Sequence, residues 1–156
     1  MTKLYIKYHN EKLTKLEINP NGCWIDLRSS KDYEIPVGTN QLIDLGVSIK
    51  LPKYFQANIV PRSSTFKNFN LIQLNHFGVV DDTYCGNKDI WMFNGYALNK
   101  DSIVKVNDRV CQFEIRPSQF APLWVKLKWL FSFKIELVEV DDLDSPNRGG
   151  FGTSGK

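Results

Sequence analysis

The sequence predicts an all-β domain of the barrel, sandwich or jelly-roll kind. Two observations carry that expectation. Short runs rich in Val, Ile, Tyr, Phe and Trp recur along the chain, separated by Gly, Pro, Asn and Asp. The apolar residues show almost none of the three-to-four-residue period of an amphipathic helix. Many short strands at this spacing close into barrels or stack into sandwiches.

Strands are expected at residues 4–8, 24–27, 41–51, 56–60, 71–74, 90–98, 109–115 and 134–140. Within 41–51, Leu45, Val47, Ile49 and Leu51 alternate, which sets one face of a single strand against a core. Residues 61–67 suit a short helical turn with Ser63 as its cap. Residues 75–87 run from apolar side chains into Asp81 and Asp82, then Tyr84, then a Gly86-Asn87 turn. That order reads as a β-hairpin with acids near its tip. In 109–115, Val110, Gln112 and Glu114 alternate with Cys111, Phe113 and Ile115, so this strand has a polar face. The end is different. Residues 141–156 finish in a Gly-rich run with too few apolar side chains to pack, so a mobile tail is expected. The layout is one β domain over 1–140 followed by a tail over 141–156.

With 156 residues the chain is the size of one domain and can bury a core without staples. No apolar run nears the ~20 residues of a membrane helix. The first ten residues alternate Lys with Tyr, Leu and Ile, unlike a secretory signal, so a cytoplasmic protein is expected. Cys23, Cys85 and Cys111 form no disulfide framework and no zinc spacing. A net charge of +3 does not by itself call for nucleic acid.

Four short patterns can carry chemistry. Asp81 can act as a general base and Tyr84 can stack on a ring, although paired Asp residues are also ordinary turn formers. Pro61-Arg62-Ser63-Ser64 puts a cation and hydroxyls at the opening of a turn, which suits an anion or a simple cap. Gln112 can donate an amide hydrogen bond to an oxyanion, or merely sit on a strand. Arg148 with the following glycines, Thr153 and Ser154 can cradle phosphate, or form a linker. In a linker, however, Phe151 would lie exposed.

Taken together and in order, these patterns resemble the trimeric dUTPase family over residues 22–155. Trp24-Ile25-Asp26-Leu27-Arg28 is similar to the first family motif, and Pro61 to Ser64 to the second. Gly78-Val79-Val80-Asp81 through Tyr84 to Asn87 is similar to the third. Arg109-Val110-Cys111-Gln112 matches the fourth, and Gly149 to Gly155 the fifth. The details look most like the branch of Gram-positive bacteria and their phages. The chain departs from the family pattern at Cys23 and Trp24, at Ser64, at Cys85, and in the short step from Arg148 to Phe151.

The resemblance implies a jelly-roll enzyme that hydrolyses dUTP to dUMP and pyrophosphate with Mg²⁺. It implies Asp81 as the base for a water attacking the α-phosphate. Asp26 would reach the metal through water, the ion being held mainly by the substrate's phosphates. Arg62, Ser63, Ser64, Gln112, Arg148, Gly152, Thr153 and Ser154 would bind phosphate. Tyr84 would pack under deoxyribose and exclude a 2′-hydroxyl. Uracil would be read by Asn75 and the main chain of Gly78, Val79 and Val80. Phe151 would close as a lid, with Phe93 a second candidate. A homotrimer is implied, each tail closing a neighbouring subunit's site. The related dCTP deaminases share the fold, but the Asp81 to Tyr84 pattern and the Gly-rich tail favour dUTPase.

Residues 117–133 lie outside the resemblance. They hold Phe120, Trp124, Trp129, Phe131 and Phe133, with Lys126 and Lys128 interleaved. Trp124, Lys126 and Lys128 alternate with Val125, Leu127 and Trp129, which predicts an added strand or hairpin. It would serve as extra core, as trimer contact, or as an arm for a protein partner.

Overall fold

Alternation of apolar and polar residues builds twelve strands, and two short helices interrupt them. The computed structural model describes residues 1–131 and 134–150. The strands are β1 (Thr2–Tyr8), β2 (Ile25–Arg28), β3 (Tyr33–Ile35), β4 (Asn40–Asp44), β5 (Val47–Lys50) and β6 (Phe55–Pro61). They continue as β7 (Leu71–Gln73), β8 (Gly78–Asp81), β9 (Met92–Ala97), β10 (Ser102–Val104), β11 (Arg109–Pro117) and β12 (Ile135–Glu139). Helix α1 (Thr65–Phe69) follows β6, and α2 (Leu123–Phe131) lies between β11 and β12. No helix among the described residues is long and apolar enough to cross a membrane.

The strands form four small sheets, ordered β12-β1-β5, β10-β3, β2-β11-β6-β8 and β4-β9-β7. These jelly-roll-like layers do not close into a barrel. They enclose one core whose largest fully buried side chains are Trp91, Phe93 and Phe113. Trp91 and Phe113 meet edge to face at 5.1 Å, a favoured aromatic geometry.

Three expectations for the elements are corrected. The single strand over 41–51 is two, because Gly46 takes φ +65° and turns the chain between them. A Cβ there would also stand 2.8 Å from the Ser30 side chain. Residues 75–87 do not form a hairpin of their own. Instead β8 pairs antiparallel with β6, from Gln56 opposite Asp81 to Ile59 opposite Gly78. Residues 117–133 contain a helix rather than a strand or hairpin. Val125 and Trp129 stand four apart, so one helical face turns both inward, and Trp129 packs edge-on against Phe55 at 5.3 Å.

The sheet β2-β11-β6-β8 positions the chemistry. Its middle strand β11 puts Gln112 opposite Asp26 on one side and Val60 on the other. Arg62 follows directly on the end of β6. Asp81 lies beside the opposite end of β6, across from Gln56. Five residue steps along the strand lead from Gln56 to Pro61, a span of ~17 Å.

Candidate functional site

That geometry divides the expected site residues into two groups within one chain. The first gathers around Asp81. A cleft of about 260 Å³ is lined by Asn75, the β8 stretch from Gly78 to Asp81, Tyr84 and Arg148. Among the described residues the β8 edge away from β6 has no strand partner, which leaves main-chain groups there for a ligand. The Tyr84 ring stands in the cleft while its hydroxyl donates to the Ile90 carbonyl at 3.0 Å. Burial, reinforced by the Asp89 charge, pushes that hydroxyl above its ordinary pKa. Tyr84 is therefore neutral near pH 7, with its hydroxyl proton given to the Ile90 carbonyl and its ring left facing the cleft.

Of the paired acids, the fold uses one. Asp82 accepts a 2.6 Å hydrogen bond from the Tyr54 amide. Asp81 faces the cleft, where Arg148 Nη1 donates to Oδ1 at 2.6 Å and to Oδ2 at 2.8 Å. The Thr83 hydroxyl and amide also donate to Oδ1. Partial burial works to raise the Asp81 pKa, but the Thr83 and Arg148 hydrogen bonds outweigh it and hold the group below the usual carboxylate range.

The second group surrounds Asp26. Arg62 Nε donates to Oδ1 at 2.7 Å, and Arg109 Nη1 donates to Oδ2 at 3.2 Å. Arg62 Nη1 also reaches the Ser64 hydroxyl at 3.1 Å. Gln112 bonds the Pro61 carbonyl through its side-chain amide at 3.4 Å, a weak contact that a better acceptor can displace. The cap of α1 differs from expectation. Ser64, not Ser63, takes the N-cap position, and it makes no side-chain cap bond. Thr65 instead ties the turn before the helix: its hydroxyl accepts from the Arg62 amide at 2.8 Å and donates to the Val110 carbonyl at 2.9 Å. Ser63 is exposed. Cys111, beneath this cluster, is fully buried, and burial together with the Asp26 charge pushes its thiol up, so it is not a nucleophile.

Several expected residues fall elsewhere. Phe93, considered as a second lid, is fully buried and packs as core. Phe151, Gly152, Thr153 and Ser154 lie outside the described residues. Residues 141–150, the first part of the expected tail, make contacts within this chain, where Leu143 is buried. The Leu143 amide donates to Asn87 Oδ1 at 3.0 Å, and the Asn87 side-chain amide donates to Asp142 at 2.8 Å. Asp89 was missed. This buried carboxylate receives the amides of Gly86, Arg148 and Gly149. Burial tends to raise its pKa, but these main-chain hydrogen bonds prevail and lower it. Its signal in the sequence was an acid just past the Gly86-Asn87 turn.

A larger cleft of about 400 Å³ lies between α2 and β1. Lysines and apolar side chains line it, including Lys53, Lys128, Trp124 and Trp129. No carboxylate lines it, and none of the expected site residues does. Among the described residues no cluster of three or more His, Cys, Asp or Glu side chains could hold a metal ion by itself.

The fold defines an all-β, jelly-roll-like protein, with an acid, an aromatic ring and a strand edge around one cleft and two arginines paired to Asp26 at the sheet's other end. Comparison with known proteins agrees. The family model described as dUTPase matches residues 20–119. A prophage-derived deoxyuridine 5′-triphosphate nucleotidohydrolase of Bacillus subtilis is 40% identical over 153 residues, covering 98% of each chain. The dUTPase of Streptococcus mutans shares the fold, with a TM-score of 0.65 at 18% identity, over 75% of this chain and 98% of that one. A point mutant of the dUTPase from phage phi11 of S. aureus, described for its coordination of a structural Mg(II) ion, gives 0.65 at 14% identity, over 77% and 94%. The chain belongs to the dUTPase family, whose members are deoxyuridine triphosphate nucleotidohydrolases.

Proposed function

We propose that this chain hydrolyses dUTP to dUMP and pyrophosphate in the cytoplasm, with Asp81 taking a proton from the water that attacks the α-phosphorus. The observation carrying this reading is the cleft that joins the Asp81 carboxylate, the Tyr84 ring and the free edge of β8. An Asp held below its usual pKa is ionised near pH 7 and ready to orient a water. The exposed edge at Gly78, Val79 and Val80 suits the donor and acceptor edge of uracil, with Asn75 beside it. Tyr84 flush under the sugar leaves no room for a 2′-hydroxyl. Phe151 would close over the base, and Gly152, Thr153 and Ser154 would meet phosphate oxygens, excluding water as they order.

Arg62, Ser63, Ser64 and Gln112 are proposed to bind the phosphates. Asp26 holds Arg62 through Nε and Ser64 accepts from Nη1, so Nη2 and the Ser64 hydroxyl are placed to meet an anion. Arg148, seated on Asp81 in the free chain, would shift to a phosphate when the nucleotide enters. Asp26 pairs with Arg62 beside the proposed phosphate contacts, where it would reach Mg²⁺ through water, and a hard cation is well served by phosphate oxygens and water. When bound, the ion would neutralise charge on the triphosphate.

The ~17 Å of β6 between the two groups supports a further element of the reading. One nucleotide is served by both when the Asp81 group of one copy faces the Asp26 group of another, so a homotrimer with shared sites is proposed. The exposed apolar side chains of α2, Leu123, Trp124 and Leu130 among them, offer surface for contact between copies or with another protein.

The test is a nucleotide panel of dUTP, UTP, dTTP and dCTP, assayed for pyrophosphate with and without Mg²⁺. Pyrophosphate from dUTP alone, dependent on Mg²⁺, is expected. Ammonia from dCTP without pyrophosphate from dUTP would overturn the reading.

A further inference from the structure

We propose that Asp89 is a positioning residue: it clamps the main chain at residues 148–149 and so determines where the Arg148 side chain stands. The proposal rests on the reading of the Asp81 cleft as the reaction centre. Asp89 is 1% exposed, and among the described residues no cation pairs with it. A carboxylate so placed is costly unless several donors meet it. Its donors are main-chain amides. Gly86 donates to Oδ2 at 2.9 Å, Gly149 to Oδ1 at 2.9 Å, and Arg148 to Oδ2 at 2.9 Å and Oδ1 at 3.1 Å.

Two of those amides come from about sixty residues further along the chain. Gly149 has φ +74°, a left-handed conformation that lets successive N–H groups converge on one acceptor. Neighbouring contacts hold the same strap. Asn147 Oδ1 accepts from the Lys88 amide at 2.7 Å. A Cβ on Gly86 would stand 2.5 Å from the Asn147 Cα, so the strap lies flush against that glycine. With the Arg148 main chain pinned this way, its guanidinium reaches Asp81 and Gly150 comes up against the Tyr84 ring. Packing alone would not call for a buried acid; three converging amides do.

The experiment uses the full chain and two substitutions of different chemistry. Asp89→Asn keeps the shape but offers one acceptor oxygen and an NH₂ group to a set of donors. Gly86→Ala leaves the carboxylate intact and evicts the strap by contact with Asn147. In both, hydrogen exchange at the Arg148 and Gly149 amides is expected to accelerate by about tenfold or more, measured without nucleotide. In both, kcat for dUTP is expected to fall by about tenfold with a smaller change in KM. In an Arg148→Ala background, Asp89→Asn is expected to change kcat by no more than about threefold. Unchanged exchange at those two amides, or an equal kcat loss with and without Arg148, overturns the proposal. If the unaltered chain does not turn over dUTP, the functional reading fails, and amide exchange still decides whether Asp89 anchors the strap.

Discussion

Arg148 Nη1 stands 2.6 Å from Oδ1 and 2.8 Å from Oδ2 of Asp81, so a single cation occupies both oxygens of the proposed base. A water cannot use that carboxylate fully until the cation moves. A triphosphate provides the reason to move, because it offers Arg148 a more highly charged partner. The free protein thus keeps its base ionised and paired with Arg148.

Asp81→Asn tests the role of the base. The amide retains the size of the side chain and one acceptor oxygen, but it cannot accept the proton from water. Binding of an α,β-imido dUTP analogue should persist, while kcat should fall by about 10²- to 10⁴-fold, the usual worth of a general base. Calorimetric titration and a pyrophosphate assay read the two effects separately. Turnover within a few-fold of the unaltered chain would remove Asp81 from the role.

The strap should resist mild acid. Asp81 and Asp89 both have folded-state pKa values below the ordinary carboxylate value. A depressed pKa means that folding favours the charged form. The resulting stabilisation is complete above the unfolded value of ~3.9 and is lost as pH falls through the lower folded values. The Arg148 and Gly149 amide signals should therefore stay in place from pH 7 to about 5 and shift only below about pH 4. Release of the strap near pH 6 would show that other groups hold it.

Tyr84→Ala should admit ribonucleotides. The ring is held from one side by its bond to the Ile90 carbonyl and from another by Gly150, so it cannot easily swing aside for a 2′-hydroxyl. Removing it should lower the ratio of kcat/KM for dUTP over UTP by about tenfold or more. Tyr84→Phe should keep the ratio and cost ~1 kcal/mol of stability from the lost hydrogen bond. If Tyr84→Ala still rejects UTP as the unaltered chain does, the discriminating contact lies elsewhere.

The sheet-forming runs were legible because apolar residues alternate along them and Gly, Pro and Asn punctuate them. The break at Gly46 was harder to see. One glycine in an alternating run is tolerated in a strand, and only its left-handed φ of +65° makes it a turn. The α2 segment satisfies two periods at once. Alternation pairs Trp124 with Lys126, while a four-residue step pairs Val125 with Trp129, and the contact of Trp129 with Phe55 decides between them. Motif order revealed Asp26, Arg62, Asp81 and Gln112 as candidates, but not that they occupy opposite ends of β6. Asp89 acquires its meaning from amides about sixty positions away, a contact that no local pattern announces.

The division along β6 makes a prediction about assembly. Arg62 Nε is tied to Asp26 at one end of the sheet, and Asp81 lies across from Gln56 at the other. If a working site takes its Asp81 group from one copy and its Arg62 group from the next, two inactive variants can complement each other. Arg62→Ala chains and Asp81→Asn chains, each nearly inactive alone, should regain turnover when unfolded together and refolded as a mixture. With random assembly of equal amounts, about one quarter of the shared sites receive both intact groups. Activity should therefore rise towards about a quarter of the unaltered level. Light scattering on the same samples should give three chains per particle. A mixture no more active than its components, in particles of the expected mass, would mean that each site is built within one chain. The ~17 Å between the two groups would then have to be closed by movement of residues within that chain.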